Sequence, residues 1–150
     1  MLVEKILVSA CLLGTPCRYD GQSKPDERVL KLSKLYKLIP VCPEVEGGLK
    51  TPRIPAEIVG DKVMRRDGAD ITESYQRGAN YALELAKANN CKVAILKAKS
   101  PSCGKDYIYD GTFTKSLIRG DGVCAKLLKN NGIMVLTENE TEILYEDNRK

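Results

Sequence analysis

Four short apolar runs punctuate the chain, and each ends on turn-forming or polar residues. Lys5–Ala10, Leu38–Cys42, Val93–Ala98 and Ile133–Leu136 are rich in Val, Ile and Leu and too short for buried helices. Runs of that kind predict strands covered on both faces, as in a parallel sheet. Between them the period lengthens. Asp26 is a candidate N-cap for a helical stripe of Val29, Leu30, Leu32, Leu35 and Leu38. Thr72 to about Asn89 repeats Tyr75, Ala79, Ala82, Leu83 and Ala86 at helical spacing, and Val123–Lys129 predicts a shorter helix. Leu12–Gly21 reads as loop through Gly14, Pro16 and Gly21. Pro43–Pro55, with Gly47, Gly48 and Pro52, reads as loop without regular structure, and Gly111–Asp121 as a second glycine-bearing loop. Ile58–Arg65 followed by Asp67-Gly68 predicts a small hairpin or edge strands. The acidic-polar tail, about 139–150, offers Ile143, Leu144 and Tyr145 for one docked helical turn.

Strands alternating with helices imply parallel pairing through right-handed crossovers. The expected fold is therefore α/β: a three-layer α/β/α sandwich around a mainly parallel sheet, Rossmann/flavodoxin-like, with a small hairpin insertion. Its 150 residues form one expected domain, large enough to bury roughly 70% of its unfolded surface without cross-links. Such sheets collect ligands at their C-terminal edge, here the loops after Ala10, Val41, Ala98 and Leu136.

Composition narrows the chemistry. There is no histidine, so acid–base work and metal ligation fall to other side chains. A net charge of +4, spread along the chain, falls short of a nucleic-acid footprint, and one Phe with no Trp makes a poor stacking platform. Six cysteines permit three disulfides. A self-sufficient core and Lys-rich helices instead favour a reducing, cytoplasmic setting. Val8-Ser9-Ala10-Cys11 imitates a lipoprotein cleavage site, but Glu4 and Lys5 interrupt the short segment before it. No run reaches the ~20 apolar residues of a membrane span, so no membrane partner is expected.

Cys11, Cys42 and Cys103 each follow a predicted strand, where a parallel sheet would bring them to one rim. Three convergent thiols without histidine point to a soft, thiophilic metal centre. The absence of a C-x-x-C pair weakens both a structural zinc site and a dithiol redox pair. Three ligands on a cluster would leave one iron open to substrate. Cys91 and Cys124 read as core residues; Cys17 sits in a loop near the site without a sign of ligation. Glu44, two positions after Cys42, is a candidate general acid or base, and Ser100 and Ser102 flank Pro101 just before Cys103. Arg53 is a candidate for binding an anion or a carbonyl, with Asp20 to orient it. The glycines form no phosphate-binding fingerprint, so no nucleotide cofactor is expected.

The segments SACLLGTPCRYDG, PVCPEVEGGL, TPRIPAEI, ILKAKSPSCG, YDGTF and GDGV together resemble the thiouracil desulfidase family, formerly a domain of unknown function. The similarity runs from about Ile6 to Val135. It implies a [4Fe–4S] cluster held by Cys11, Cys42 and Cys103, with one iron lacking a protein ligand. It also implies removal of sulfur from a thiolated pyrimidine, of the 2-thiouracil or 4-thiouracil type, with release of hydrogen sulfide. Glu44 and Ser100 match the family's carboxylate and serine, with Ser102 an adjacent competitor. A related group acts on thiouridine in tRNA, usually with an additional domain that has no counterpart here. A small thiopyrimidine is thus the expected partner; tRNA desulfuration and a non-catalytic iron–sulfur or sulfide carrier are the rival readings. Oligomeric state is left open.

Overall fold

The computed structural model describes residues 4–147. Strands β1 (Lys5–Ser9), β2 (Lys37–Val41), β3 (Ala56–Val59), β4 (Lys62–Arg65), β5 (Val93–Leu96), β6 (Tyr107–Tyr109), β7 (Leu117–Arg119) and β8 (Met134–Thr137) are interleaved with five helices. These are α1 (Glu27–Leu30), α2 (Pro43–Glu46), α3 (Thr72–Ala88), α4 (Val123–Asn130) and α5 (Glu142–Asp147). The four apolar runs form one sheet in the order β2-β1-β5-β8, and every pair in it is parallel. The Rossmann-like α/β sandwich expected from the alternation is the fold observed.

Alternation within β1 shows why the sheet needs cover on both sides. Leu7 points into a cluster with Ala79, Leu83 and Ala86 of α3 and Ala125 and Leu128 of α4. Ile6 and Val8 point the other way, onto Leu12, Val29, Leu32, Tyr36 and Leu144. All three β1 residues are buried to within 1% of complete, so each face contributes its own hydrophobic core. The tail docks as anticipated: α5 buries Leu144, and the Tyr36 hydroxyl donates to its carbonyl at 2.9 Å. Residues 148–150 of that tail lie outside the described residues. Among the described residues no helix is long and apolar enough to cross a membrane.

Three local readings change. The helix at Asp26 is only α1, continued by a 3₁₀ turn over Lys31–Lys34, and Leu30 and Leu35 are exposed. Pro43–Glu46 is helix, not loop: Pro43 sits in the first turn, where its missing N–H costs nothing. A second hairpin, β6–β7, replaces part of the expected loop. The β3–β4 hairpin falls where it was expected.

Strands β1, β2 and β5 also stop one or two residues earlier than their apolar runs, whereas β8 runs one residue past its own. Ala10–Leu13 turns into a 3₁₀ helix, and Cys42 is the N-cap of α2. The cysteines therefore sit in the turns beyond the strands rather than in the sheet.

Candidate functional site

Three adjacent strands supply the three expected thiols: Cys42 follows β2, Cys11 follows β1, and Cys103 lies in the turn after β5. Each turn is held from outside. The Cys11 carbonyl accepts the amides of Gly14 (3.3 Å) and Lys24 (2.9 Å), and Gly14 closes the turn at φ 104°. The Cys42 turn is seated on α3 by two glycines. A Cβ on Gly78 would lie 1.7 Å from the Pro43 carbonyl oxygen, and one on Gly47 would lie 2.0 Å from that of Ser74. The Cys103 turn receives the free amides that open α4. Val123 donates to the Pro101 carbonyl at 2.9 Å, Cys124 to Ser102 at 2.8 Å, and Gly122 to Gly104 at 2.7 Å.

These turns wall a cavity of about 340 Å³ at the C-terminal edge of the sheet, within the usual range of small-molecule sites. Cys11, Cys17, Cys42 and Cys103 all line it, and all are free thiols. Cys17 stands between two of the expected ligands, its thiol interacting with those of Cys11 and Cys42. The Cys42 thiol also donates to the Cys17 carbonyl at 3.7 Å. Bonding to Cys11, chiefly, lifts the Cys17 thiol to about 11. Cys42 is pushed well above the ordinary thiol range by its bond with Cys17 and by burial. Burial lifts Cys103 to about 12, against the opposing effect of the Ser9 and Ser102 hydroxyls beside its sulfur.

On the same wall Glu44, Arg53 and Ser100 form one bonded set. Glu44 Oε2 accepts from Arg53 Nη2 at 2.6 Å and Nε at 3.0 Å, and Glu44 Oε1 accepts from Ser100 Oγ at 3.3 Å. The remaining Arg53 hydrogens reach the carbonyls of Cys17 and Lys50 and the Thr51 hydroxyl. Burial works against the Arg53 charge, but the Glu44 carboxylate outweighs it and holds the guanidinium above its ordinary pKa. Ser100 Oγ accepts the amides of Ser102 and Cys103, each at 3.1 Å. One hydroxyl thus links the carboxylate to the backbone that carries a thiol.

Two of the sequence candidates lie elsewhere. Asp20 does not orient Arg53: it accepts from the Gln22 amide at 3.0 Å and faces Arg18 at 3.9 Å, outside the cavity lining. Glu44 takes the orienting place instead, because α2 aims it across the Arg53 loop. Ser102 is fully buried behind the Cys103 turn rather than facing the cavity. The Leu136 loop also stays off the cavity, although Glu138 braces the wall through Lys97 (3.0 Å) and the Ala98 amide (2.9 Å). Tyr75 and Glu57 line the cavity without a sequence signal of their own. Tyr75 hides in the apolar stripe of α3 and presents its hydroxyl to Glu44; burial, joined by that carboxylate, pushes the phenol well above its ordinary range. Glu57 was obscured by the hairpin's alternation.

The donor set fits an iron–sulfur cluster. Among the described residues no three Cys, Asp or Glu side chains converge tightly enough to hold a single metal ion. Thiols carried by separate strands suit a polynuclear group whose ligands stand further apart. The Ser102 hydroxyl adds a second sign, for it is buried beside Cys103 and, among the described residues, has no hydrogen-bond partner. Leaving such a group unpaired costs about 1–3 kcal/mol, and an anionic, metal-bound sulfur at Cys103 is the acceptor it lacks.

Fold and site together define an α/β protein with a thiol-walled small-molecule pocket at the C-terminal edge of its sheet. The chain belongs to the 2-thiouracil desulfurase family, whose model matches residues 6–140, as the sequence motifs led us to expect. It is 46% identical over 145 residues to the uncharacterized protein YbbK of Bacillus subtilis (strain 168), covering 90% of this chain and 96% of that protein. Its structure is similar to that of the [4Fe–4S]-dependent thiouracil desulfidase TudS. The TM-score is 0.91 at 44% identity, over 96% of this chain and 97% of the other.

Proposed function

We propose that the protein is a [4Fe–4S]-dependent desulfidase that converts a thiolated pyrimidine and water into the oxo-base and hydrogen sulfide. The observation that carries this reading is the Glu44–Ser100–Arg53 set on the same cavity wall as the cysteine turns. Cys11, Cys42 and Cys103 would hold the cluster, which when bound supplies a Lewis-acidic iron for the soft thiocarbonyl sulfur.

The chain's own residues perform the proton work. Arg53 fixes one oxygen of Glu44, leaving Oε1 as the group that takes a proton from a water attacking the thiocarbonyl carbon. Ser100, between Glu44 and the amides of the Cys103 turn, carries a proton toward the departing sulfur. Glu44 and Ser100 both line the cavity, so a ring bound there would present this carbon to the two groups together. The balance is hydrolytic: one carbon–sulfur double bond is exchanged for carbon–oxygen, and no electrons are needed.

Anaerobically reconstituted protein given 2-thiouracil or 4-thiouracil is expected to release sulfide in step with oxo-base formation. The Cys103→Ala variant is expected to release none. Sulfide release by the cluster-free variant at the wild-type rate overturns the reading, and bound sulfide without turnover supports a carrier instead.

A further inference from the structure

Two carboxylates line the cavity, Glu44 and Glu57. Glu44 is neutralised by Arg53. Glu57, at 8% exposure, has no ion-pair partner among the described residues. Its Oε1 accepts the amides of Gly111 at 3.0 Å and Phe113 at 3.1 Å. Both of those residues have positive φ, 91° and 60°, so the β6–β7 loop is bent to aim two amides at one oxygen. The loop also lies hard against β3, where a Cβ on Gly111 would meet the Ile58 carbonyl oxygen at 2.8 Å. The carboxylate is thereby fixed in place with Oε2 left over, and among the described residues no protein donor reaches that oxygen.

That oxygen stays open to solvent in the cavity, so a ligand that displaces the water there must supply a donor in its place. A cationic ligand is disfavoured, because six basic side chains line the same cavity, among them Arg66, Lys99 and Lys115. A neutral donor is what remains, and on a thiopyrimidine that donor is a ring N–H. We infer that Glu57 Oε2 accepts a hydrogen bond from a ring N–H of the pyrimidine, so that Glu57 selects rings protonated on nitrogen. This rests on the desulfidase reading and names the residue that reads the base.

Glu57→Gln keeps an amide oxygen for Gly111 and Phe113 and turns the cavity-facing atom from acceptor to donor. Loss of a bond to a charged acceptor is expected to raise KM for 2-thiouracil roughly 10- to 100-fold. kcat within about threefold of wild type and unchanged iron content separate this from a loss of catalysis. Equilibrium dialysis of uracil against cluster-free protein supplies a readout independent of turnover, and the variant is expected to lose most of that binding. In the wild type, 1,3-dimethyl-2-thiouracil is expected to fail to compete. This last comparison holds even if the variant does not fold.

Unchanged uracil binding and unchanged KM in Glu57→Gln overturn the inference, as does wild-type binding of the dimethyl compound as tight as that of 2-thiouracil. If the wild type releases no sulfide while uracil binding still depends on Glu57, the desulfidase reading fails and the assignment of Glu57 as the base-reading residue stands.

Discussion

Arg53 places all of its hydrogen-bonding capacity on groups already in the protein: two bonds to Glu44, two to backbone carbonyls and one to Thr51. It is a positioning residue, and its ion pair is largely withdrawn from solvent, with side-chain exposures of 10% and 14%. Breaking such a pair by removing one partner costs about 3 kcal/mol or more. Arg53→Met is therefore expected to lower the melting temperature by roughly 10 °C, measured by calorimetry on anaerobic protein. Glu44→Gln tests chemistry rather than stability. Sulfide release is expected to fall at least about 100-fold with iron content unchanged, the usual order for loss of a general acid–base group. At this scale the sequence revealed residue types better than directions. The Cys-Pro-Glu and Ser-Pro-Ser-Cys texts marked Glu44 and Ser100, but nothing local showed that Ser102 turns inward or that Asp20 turns to Arg18. Those orientations are set by contacts from α4 and from the loop itself.

At the scale of elements, glycine and helix-end contacts decide where the thiols stand. Gly78 lies inside α3, where Gly to Ala ordinarily stabilises a helix by about 1 kcal/mol. Here the sign reverses, because the new Cβ would lie 1.7 Å from the Pro43 oxygen. Gly78→Ala is expected to destabilise the protein and to reduce iron incorporation by displacing the Cys42 turn, read by iron analysis after reconstitution. Asp26 caps α1 by accepting the amides of Arg28 and Val29, and its own amide donates to Leu12 in the Cys11 turn. Its pKa is lowered, first by the Arg28 side-chain bond. A depressed carboxyl stabilises the fold above its ordinary range, and the contribution disappears as pH falls through the lowered value. Asp26→Ala is accordingly expected to cost about 1 kcal/mol at pH 7, with the difference from wild type shrinking below about pH 4; urea titrations at the two pH values measure it. The four parallel strands were legible because burial on both faces concentrates Val, Ile and Leu. β7 was not: Leu117, Ile118 and Arg119 are all exposed, so no buried face imposes an alternation. α2 escaped because a proline that begins a helix and one that forbids it look alike in isolation.

For the molecule as a whole, the central fact is that the candidate ligands come from three neighbouring strands of one sheet while β8 contributes none. No single segment contains the site, so the cluster should bind the native state far better than the unfolded chain and stabilise it by mass action. Cluster-loaded protein is expected to melt several degrees above cluster-free protein under anaerobic conditions, with the gap abolished in Cys42→Ala. The family membership and the C-terminal-edge location were readable from the ordered motifs. The closing of the cavity by the β6–β7 loop was not, since Glu57 reaches Gly111 and Phe113 across more than fifty positions of chain.

Because three separate turns would share one inorganic anchor, that anchor would act as a cross-brace as well as a reagent. Oxidative loss of iron would then release the ends of β1, β2 and β5 from one another at the same moment that it silenced the pocket. Exposure to air would register as a mechanical loosening of one edge of the sheet, visible in amide exchange there before any change on the opposite edge.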